Sequence, residues 1–405
     1  MKTVAIVSEY NPFHLGHVRQ IEAIRHEYGA DTPVIAVMSG NYVERGELAI
    51  MHKFDRAEAA VRAGVSLVLE LPFPFSAAGA ELFAQSAVSI IDGLGVADVL
   101  SFGSESGNVA LLSLVAERLS SPAFEAGLKE ALEKKQNKSL GFAVLYQSIY
   151  ASLYGENGAS CLNNPNDTLA LYYLRALRRL SSSIKPHTVK RTGTDADAFG
   201  DAPLIAGATY IRERFREGET QAALSHLPVD VLTVWERAIA EGTSPVFTSG
   251  MENALLAHLR TAPDGSCFAE CGGGLYRHIA SAAGQARDYT SLLSFAATKK
   301  YTDTRIRRAI LFSYFGVTPE EVREKPLYTQ VLAMDTVGRR LLAHIRKTAS
   351  ISVLTKPADL KKLSPDAVRQ AERAYRADSV YTLAMPKTQG ADFFIRRAPF
   401  ILGQK

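Results

Sequence analysis

Short unbroken apolar runs alternate with stretches of helical spacing through the first two hundred residues. Val4-Ala5-Ile6-Val7 is the first run, closed by Ser8-Glu9 and a turn containing Pro12 and Gly16. Apolar positions then recur at Val18, Ile21, Ile24 and Tyr28, which puts one face of a helix on a core. Further runs at residues 34–38, 67–71 and 99–102 are each followed by a polar or glycine-containing turn, and the spacing predicts helices over 52–63 and 80–91. A basic-ended strand at 188–191 completes the series. Strands alternating with helices at this spacing predict a parallel, doubly wound sheet over 1–215. Ligands of such sheets sit beyond the carboxyl ends of the strands, so His14, His17, Ser39, Gly40, Gly103 and Ser104 are expected to line one crevice. Beyond residue 215 the pattern is mainly helical, without further strand–loop–glycine units. The expectation is an α/β domain (1–215) followed by a mainly α-helical one (216–405).

The turn after the first strand carries the sharpest chemistry. His14 and His17 flank Gly16 where a helix begins, and a helix start offers free N–H groups and a positive dipole end to phosphate. Each imidazole adds a donor. With 9 His and 29 Gly in 405 residues, chance supplies about 0.014 His-x-Gly-His matches per chain. A coincidental surface pair is therefore the weaker reading.

Composition changes this picture little. The chain is 47% hydrophobic and 22% charged, ordinary for a globular protein, and its net charge of +4 permits an RNA partner without demanding one. Cys161, Cys267 and Cys271 are too few for a disulfide framework and lack the companions of a zinc site, so no metal-binding residues are expected. The opening residues are too short for a secretory segment and no stretch reaches bilayer length, so a cytoplasmic protein is expected.

Three segments remain open on the residues alone. Asn163-Asn164-Pro165-Asn166-Asp167 reads as a helix start that Asn166 or Asp167 caps. The amphipathic stretch 122–154 bears Lys134, Lys135 and Lys138, a pattern more often a solvated face than an RNA contact. Residues 297–308 hold Lys299, Lys300, Arg305, Arg307 and Arg308 around Tyr301, which suits either a nucleic-acid backbone or a solvated helix start.

The run Glu9-Tyr10-Asn11-Pro12-Phe13-His14-Leu15-Gly16-His17 resembles the bacterial tRNA(Met) cytidine acetate ligase family, within the H-x-G-H nucleotidyltransferase superfamily. Met38 to Glu47, Lys53 and Arg56, Phe102 to Glu105, Pro165-Asn166 and Lys190-Arg191 extend the resemblance. It implies a HIGH-type, Rossmann-like nucleotidyltransferase domain that uses ATP, with Mg²⁺, to activate acetate as acetyl-adenylate. Acetylation of N4 of the wobble cytidine of elongator tRNA(Met) would follow, without membrane or obligate protein partner. By position, nucleotide contacts fall on Val7, Ser8, Glu9, Tyr10, Asn11, Pro12, Phe13, His14, Leu15, Gly16, His17, Val18, Arg19 and Gln20, then Gly103, Asn166 and Arg191. Ile205 to Arg212 is similar to a second nucleotidyltransferase motif, with Gly207 and Ala208 where hydroxyl residues are usual, so Thr209 and Arg212 are carried over. His14, His17, Lys53 and Arg56 are the catalytic candidates. The resemblance favours RNA binding by the cations at 299–308. Two other readings share the histidine motif: an adenylyltransferase for a small phosphorylated metabolite, and a non-catalytic RNA-binding protein with a nucleotide pocket.

Overall fold

The computed structural model describes residues 2–133, 142–191 and 206–403. Lys134, Lys135, Lys138 and Ile205 lie outside these residues.

The first four apolar runs are the strands β1 (Val4–Ser8), β2 (Val34–Ser39), β5 (Leu67–Leu71) and β6 (Val99–Ser104), with a small hairpin of β3 (Tyr42–Val43) and β4 (Glu47–Leu48) after β2. β7 (Lys185–Lys190) follows at one edge. These five sheet strands pair in parallel in the order β5-β2-β1-β6-β7. Helices cover both faces, which is why β2 and β5 are buried along their whole length and read as near-continuous apolar runs, Glu70 being the one charged residue in β5. Val34, Ala36 and Met38 pack into the core under α1 (Leu15–Tyr28) and α2 (Lys53–Arg62), while Ile35 and Val37 join the core of the opposite face. That second core takes in α3 (Ala80–Leu94), α4 (Val109–Leu119), α5 (Pro122–Glu133), α6 (Phe142–Tyr154) and α7 (Pro165–Arg179). Truncating Ile35 to Ala there costs about 2–5 kcal/mol, transfer and cavity terms together.

Residues 216–405 are mainly helical, and they also return three strands to the sheet. The helices α8 (Ala208–Arg216), α9 (Thr220–Ser225), α10 (Val229–Ala240), α11 (Glu252–Thr261), α12 (Leu275–Gln285), α13 (Tyr289–Ala296), α14 (Asp303–Phe315) and α15 (Pro319–Arg323) come first. The chain then re-enters the sheet as β8 (Tyr328–Met334), antiparallel to β5 and buried throughout. α16 (Thr336–Thr348), β9 (Ser352–Leu354) beside β8, α17 (Pro365–Tyr381) and the edge strand β10 (Phe400–Ile401) complete the fold. The sheet is therefore mixed, in the order β10-β8-β5-β2-β1-β6-β7. Thr329 and Gln330 interrupt the apolar run of β8, and Thr329 answers a local need by donating to Glu70 O at 2.7 Å. Gly338 lets α16 close on β5, because a Cβ there would lie 1.8 Å from Ser66 O.

The helical body also shares its core with the α1–α2 face. Trp235 of α10, Leu255 of α11 and Ile306 of α14 belong to the same buried cluster as Ile6 and Phe54. Among the described residues, no helix is long and apolar enough to cross a membrane. The three cysteines are free thiols, Cys161 and Cys271 buried and Cys267 exposed.

Candidate active site

β1 lies between β2 and β6, the point at which strand order reverses, and the loop leaving it carries Glu9 to His14. This loop is held from several sides. Asn11 Oδ1 accepts the N–H of Ile50 at 2.8 Å, and Arg212 Nη1 donates to Asn11 O at 2.7 Å. Tyr10 adopts φ +47°, unusual for a side chain of its size. Its ring and that of Phe13 are buried and pack around His17, with centroids 4.8 and 5.2 Å away. Tyr10, Pro12 and Phe13 thus form the backing of the site rather than its open wall.

His14 is the N-cap of α1. Gly16 N donates to His14 Nδ1 at 3.0 Å, and His14 N donates to His17 Nδ1 at 3.1 Å, a reciprocal box closing the first turn. Both Nδ1 atoms act as acceptors, so each neutral ring carries its proton on Nε2, which remains as a donor. Burial first, then the Arg191 and Arg212 guanidiniums, pushes His14 down to about 4. Burial, His14 and Arg191 likewise lower His17. Two uncharged N–H donors at a helix N-terminus make a site for anionic oxygen. Leu15, Gly16, Val18 and Gln20 are half-buried, Gln20 donating to Ser101 O at 3.3 Å, and Arg19 is exposed. Val7 and Ser8 are half-buried at the end of β1, where Ser8 Oγ has no hydrogen-bond partner among the described residues.

The other wall comes from β6, β7 and α7. Arg191 N donates to Ser104 O at 2.8 Å, and the exposed Arg191 side chain crosses Gly103, whose missing Cβ would stand 3.3 Å from its methylenes. Asn166 occupies the first turn of α7. It does not cap that helix, and neither does Asp167: the N-cap residue is Asn164, and Glu105 supplies the bonds from outside. Glu105 Oε1 accepts Asn166 N and Nδ2 at 3.1 and 2.6 Å, and Oε2 accepts Asp167 N at 2.7 Å. Asp167 in turn accepts Ser106 N, Ser106 Oγ and Asn164 Nδ2. Thr209 is half-buried in the first turn of α8 and accepts from Arg212 Nη2 at 3.3 Å.

Lys53 and Arg56 do not reach the crevice as catalytic groups, which corrects the expectation. Both are 1% exposed. Lys53 Nζ lies 2.7 and 2.8 Å from the Glu70 oxygens and 2.6 Å from Asp378 of α17. Burial would discharge it, but the two carboxylates outweigh that and hold it charged. Arg56 gives its donors to the carbonyls of Glu9, Ser39, Gly40 and Met51. Both are positioning residues beneath the loops. Sequence reasoning missed Glu70 and Asp378. The available signal was Glu70 itself, a lone acid inside the apolar run Leu67–Leu71.

The basic stretch divides. Lys299 and Lys300 are exposed, with Lys300 Nζ 4.8 Å from the Tyr301 ring centroid. Arg305 pairs with Glu270 and Arg307 with Glu47, at 3.3 and 2.8 Å. Arg308 is buried between Glu44 and Glu270, so its assignment to an RNA contact is corrected.

The HIGH Nucleotidyl Transferase family model matches residues 1–393. The chain is 35% identical over 393 residues to the tRNA(Met) cytidine acetate ligase of Caldanaerobacter subterraneus subsp. tengcongensis, covering 95% of this chain and 96% of that protein. It is 32% identical over 399 residues to the protein of the same name from Acetivibrio thermocellus, covering 95% of each. The crystal structure of Thermotoga maritima TmcAL bound with alpha-thio ATP superposes with a TM-score of 0.90 at 32% identity, covering 99% of this chain and 100% of that one. The apo form of that protein gives 0.91 at 31% identity over the same shares. With the histidine pair in place and the likeness running from end to end, the chain belongs to the HIGH nucleotidyltransferase family, among the tRNA(Met) cytidine acetate ligases.

Proposed function

We propose that the chain activates acetate with ATP as acetyl-adenylate and passes the acetyl group to N4 of the wobble cytidine of elongator tRNA(Met). The observation that carries this is the pair of neutral imidazoles, each with Nε2–H unpaired among the described residues, at the start of α1 beside Arg191 and Arg212. In adenylation, acetate attacks the α-phosphorus and pyrophosphate departs, so negative charge builds on phosphate oxygens. Fixed N–H donors answer that charge without reorganising, and Arg191 and Arg212 add full positive charge. Asn166 and Gly103 belong to the β6–β7–α7 side, where the nucleotide is proposed to lie. Thr209 supports Arg212.

Among the described residues, no group of three or more His, Cys, Asp and Glu side chains converges as a metal cage. Mg²⁺ would enter with ATP and neutralise part of its phosphate charge. Lys299 and Lys300 are the proposed tRNA contacts, placing tRNA recognition in residues 216–405, and a cytoplasmic setting follows from that substrate.

The test is labelled acetate, ATP and tRNA(Met), followed by nucleoside analysis. Label on cytidine with AMP and pyrophosphate released in step is expected. Label appearing only with acetyl-CoA, or ADP as the product, overturns the adenylate route. ATP–pyrophosphate exchange separates the alternatives: the ligase needs acetate, a metabolite adenylyltransferase needs its own phosphorylated substrate, and an RNA-binding protein gives none.

A further inference from the structure

α13 and α14 meet at an elbow that the adenylation site does not use. Thr298 and Tyr301 close it as an antiparallel bridge, which sets Lys299 and Lys300 at the tip of the turn. Both lysines are exposed, and neither has a carboxylate partner among the described residues. Lys300 Nζ donates to Gly273 O at 3.2 Å. Between the two helices lies a cleft of about 180 Å³, lined by Leu293, Ser294, Ala297, Asp303, Ile306 and Arg307.

The lining describes what would fill it. Leu293, Ala297 and the buried Ile306 give apolar walls, while Ser294, Ala297 and Asp303 are exposed and leave the cleft open to solvent. Its volume is below the ~300–1,000 Å³ of pockets for drug-sized ligands, so one ring system occupies it. Asp303 and Arg307 stand four apart on α14 and share a face. They do not pair with each other, because Arg307 Nη1 goes to Glu47 at 2.8 Å. The Asp303 carboxylate has no partner among the described residues, and Arg307 Nε is buried without one. An unmet acceptor thus lies one helical turn from an unmet donor. A flat ring whose edge carries a donor beside an acceptor answers both, and the Watson–Crick edge of an unpaired base is such an edge.

Charge narrows the occupant further. The two lysines at the tip attract a polyanion, whereas apolar walls and a carboxylate reject a phosphate. Together they suit an uncharged ring attached to an anionic backbone. Direct contacts lead from this cleft to the nucleotide loop. Arg307 holds Glu47 of β4, and a Cβ on Gly46 would stand 2.5 Å from Arg308 N, so the β3–β4 hairpin packs on α14 itself. In the turn of that hairpin, Glu44 N donates to Glu9 Oε1 at 2.9 Å.

We propose that the α13–α14 cleft receives one unpaired base of the tRNA, other than the cytidine that is acetylated, while Lys299 and Lys300 meet the phosphates beside it. The cleft supplies a contact that salt does not screen, next to two that it does. This rests on the reading of Lys299 and Lys300 as tRNA contacts.

The test uses the full-length protein with two variants, Ser294→Leu to fill the cleft and Asp303→Ala to remove its acceptor while leaving it open. Each should weaken tRNA(Met) binding, the filled cleft by roughly tenfold or more, the scale of losing one base contact. The log–log salt slope should stay as in wild type, in contrast to Lys299→Gln and Lys300→Gln, which flatten it. Acetate-dependent ATP–pyrophosphate exchange without tRNA should remain within about twofold, which also reports on folding. tRNA(Met) carrying a single abasic site at each anticodon-loop position in turn then locates the base. One position should lower wild-type affinity and add nothing in Ser294→Leu, the non-additivity of two changes at one contact. Wild-type affinity in both variants overturns the proposal, as do additive losses at every position, or loss of exchange in both variants. Free AMP or CMP competing as well as tRNA would make the cleft a mononucleotide site and overturn it too. If the lysine variants keep the wild-type slope, the surface reading falls; if they flatten it while the cleft variants bind normally, the cleft alone falls.

Discussion

The His14 and His17 rings lie 4.0 Å apart, centroid to centroid, and the His14 backbone N–H is the donor that fixes His17 by its Nδ1. Each ring is therefore both a ligand group and part of the other's scaffold. Replacing either with Ala should reduce acetate-dependent exchange on the order of 10²-fold or more, the scale of losing one preorganised donor. His14→Ala should also weaken α1, because Gly16 N loses its cap, at about 0.5–2 kcal/mol in a melting experiment. Full exchange activity in His17→Ala would remove the ring from the mechanism.

The direction of the histidine shifts sets the pH behaviour. Both rings are harder to protonate in the fold than in the unfolded chain, where the ordinary value is 6.5. Their contribution to stability is fully present above about pH 6.5 and falls as pH drops from there to about 4, the value reached by His14. Melting temperature should decline over that window in wild type. A variant with Gln at both positions should show a shallower decline.

Lys53 makes a different prediction, because its role is burial with compensation. Lys53→Ala leaves Glu70 and Asp378 facing each other without a cation and should cost about 3–5 kcal/mol, measured by chemical denaturation. Lys53→Met with Glu70→Gln and Asp378→Asn should recover much of that loss. If the triple variant exchanges pyrophosphate normally, the lysine acts only through the loops it supports.

The basic surface can be separated by salt dependence. Lys299→Gln and Lys300→Gln should each flatten the log–log salt slope of tRNA binding by roughly 0.7–0.9, leaving exchange intact. Arg308→Ala should lower the melting temperature first, since it strips Glu44 of its cation and Glu270 of one of its two. An unchanged salt slope in the double lysine variant would mean that this corner faces solvent.

The strands around the site were legible because burial on both faces leaves little room for alternation, so β1, β2, β5 and β6 announce themselves as short apolar runs, interrupted only by Glu70 in β5 and Ser101 in β6. The histidine pair was legible because ligand chemistry and helix start fall within four residues. β8 was not, since Thr329 and Gln330 break its apolar run, and the Thr329 hydroxyl meets its acceptor, Glu70 O, only once β5 is beside it. The paired cations were misread on the same ground: Asp378 stands 325 residues from Lys53, and Glu44 264 from Arg308. Spacing reports charge along a chain, whereas neutralisation depends on neighbours that only the fold assembles.

The late return of β8 has a consequence for synthesis. While the chain emerges in order, β1, β2, β5 and β6 can pair as soon as they are available, but β5 keeps an open edge of backbone amides until residue 334 is out. Lys53 likewise waits for Asp378 before its second carboxylate arrives. A nascent chain of three hundred residues thus presents an unpaired edge beside an incomplete ion cluster, the kind of surface that recruits another strand or a chaperone. Arrest during translation before β8 emerges should leave this protein more prone to aggregation than arrest after α17 has docked.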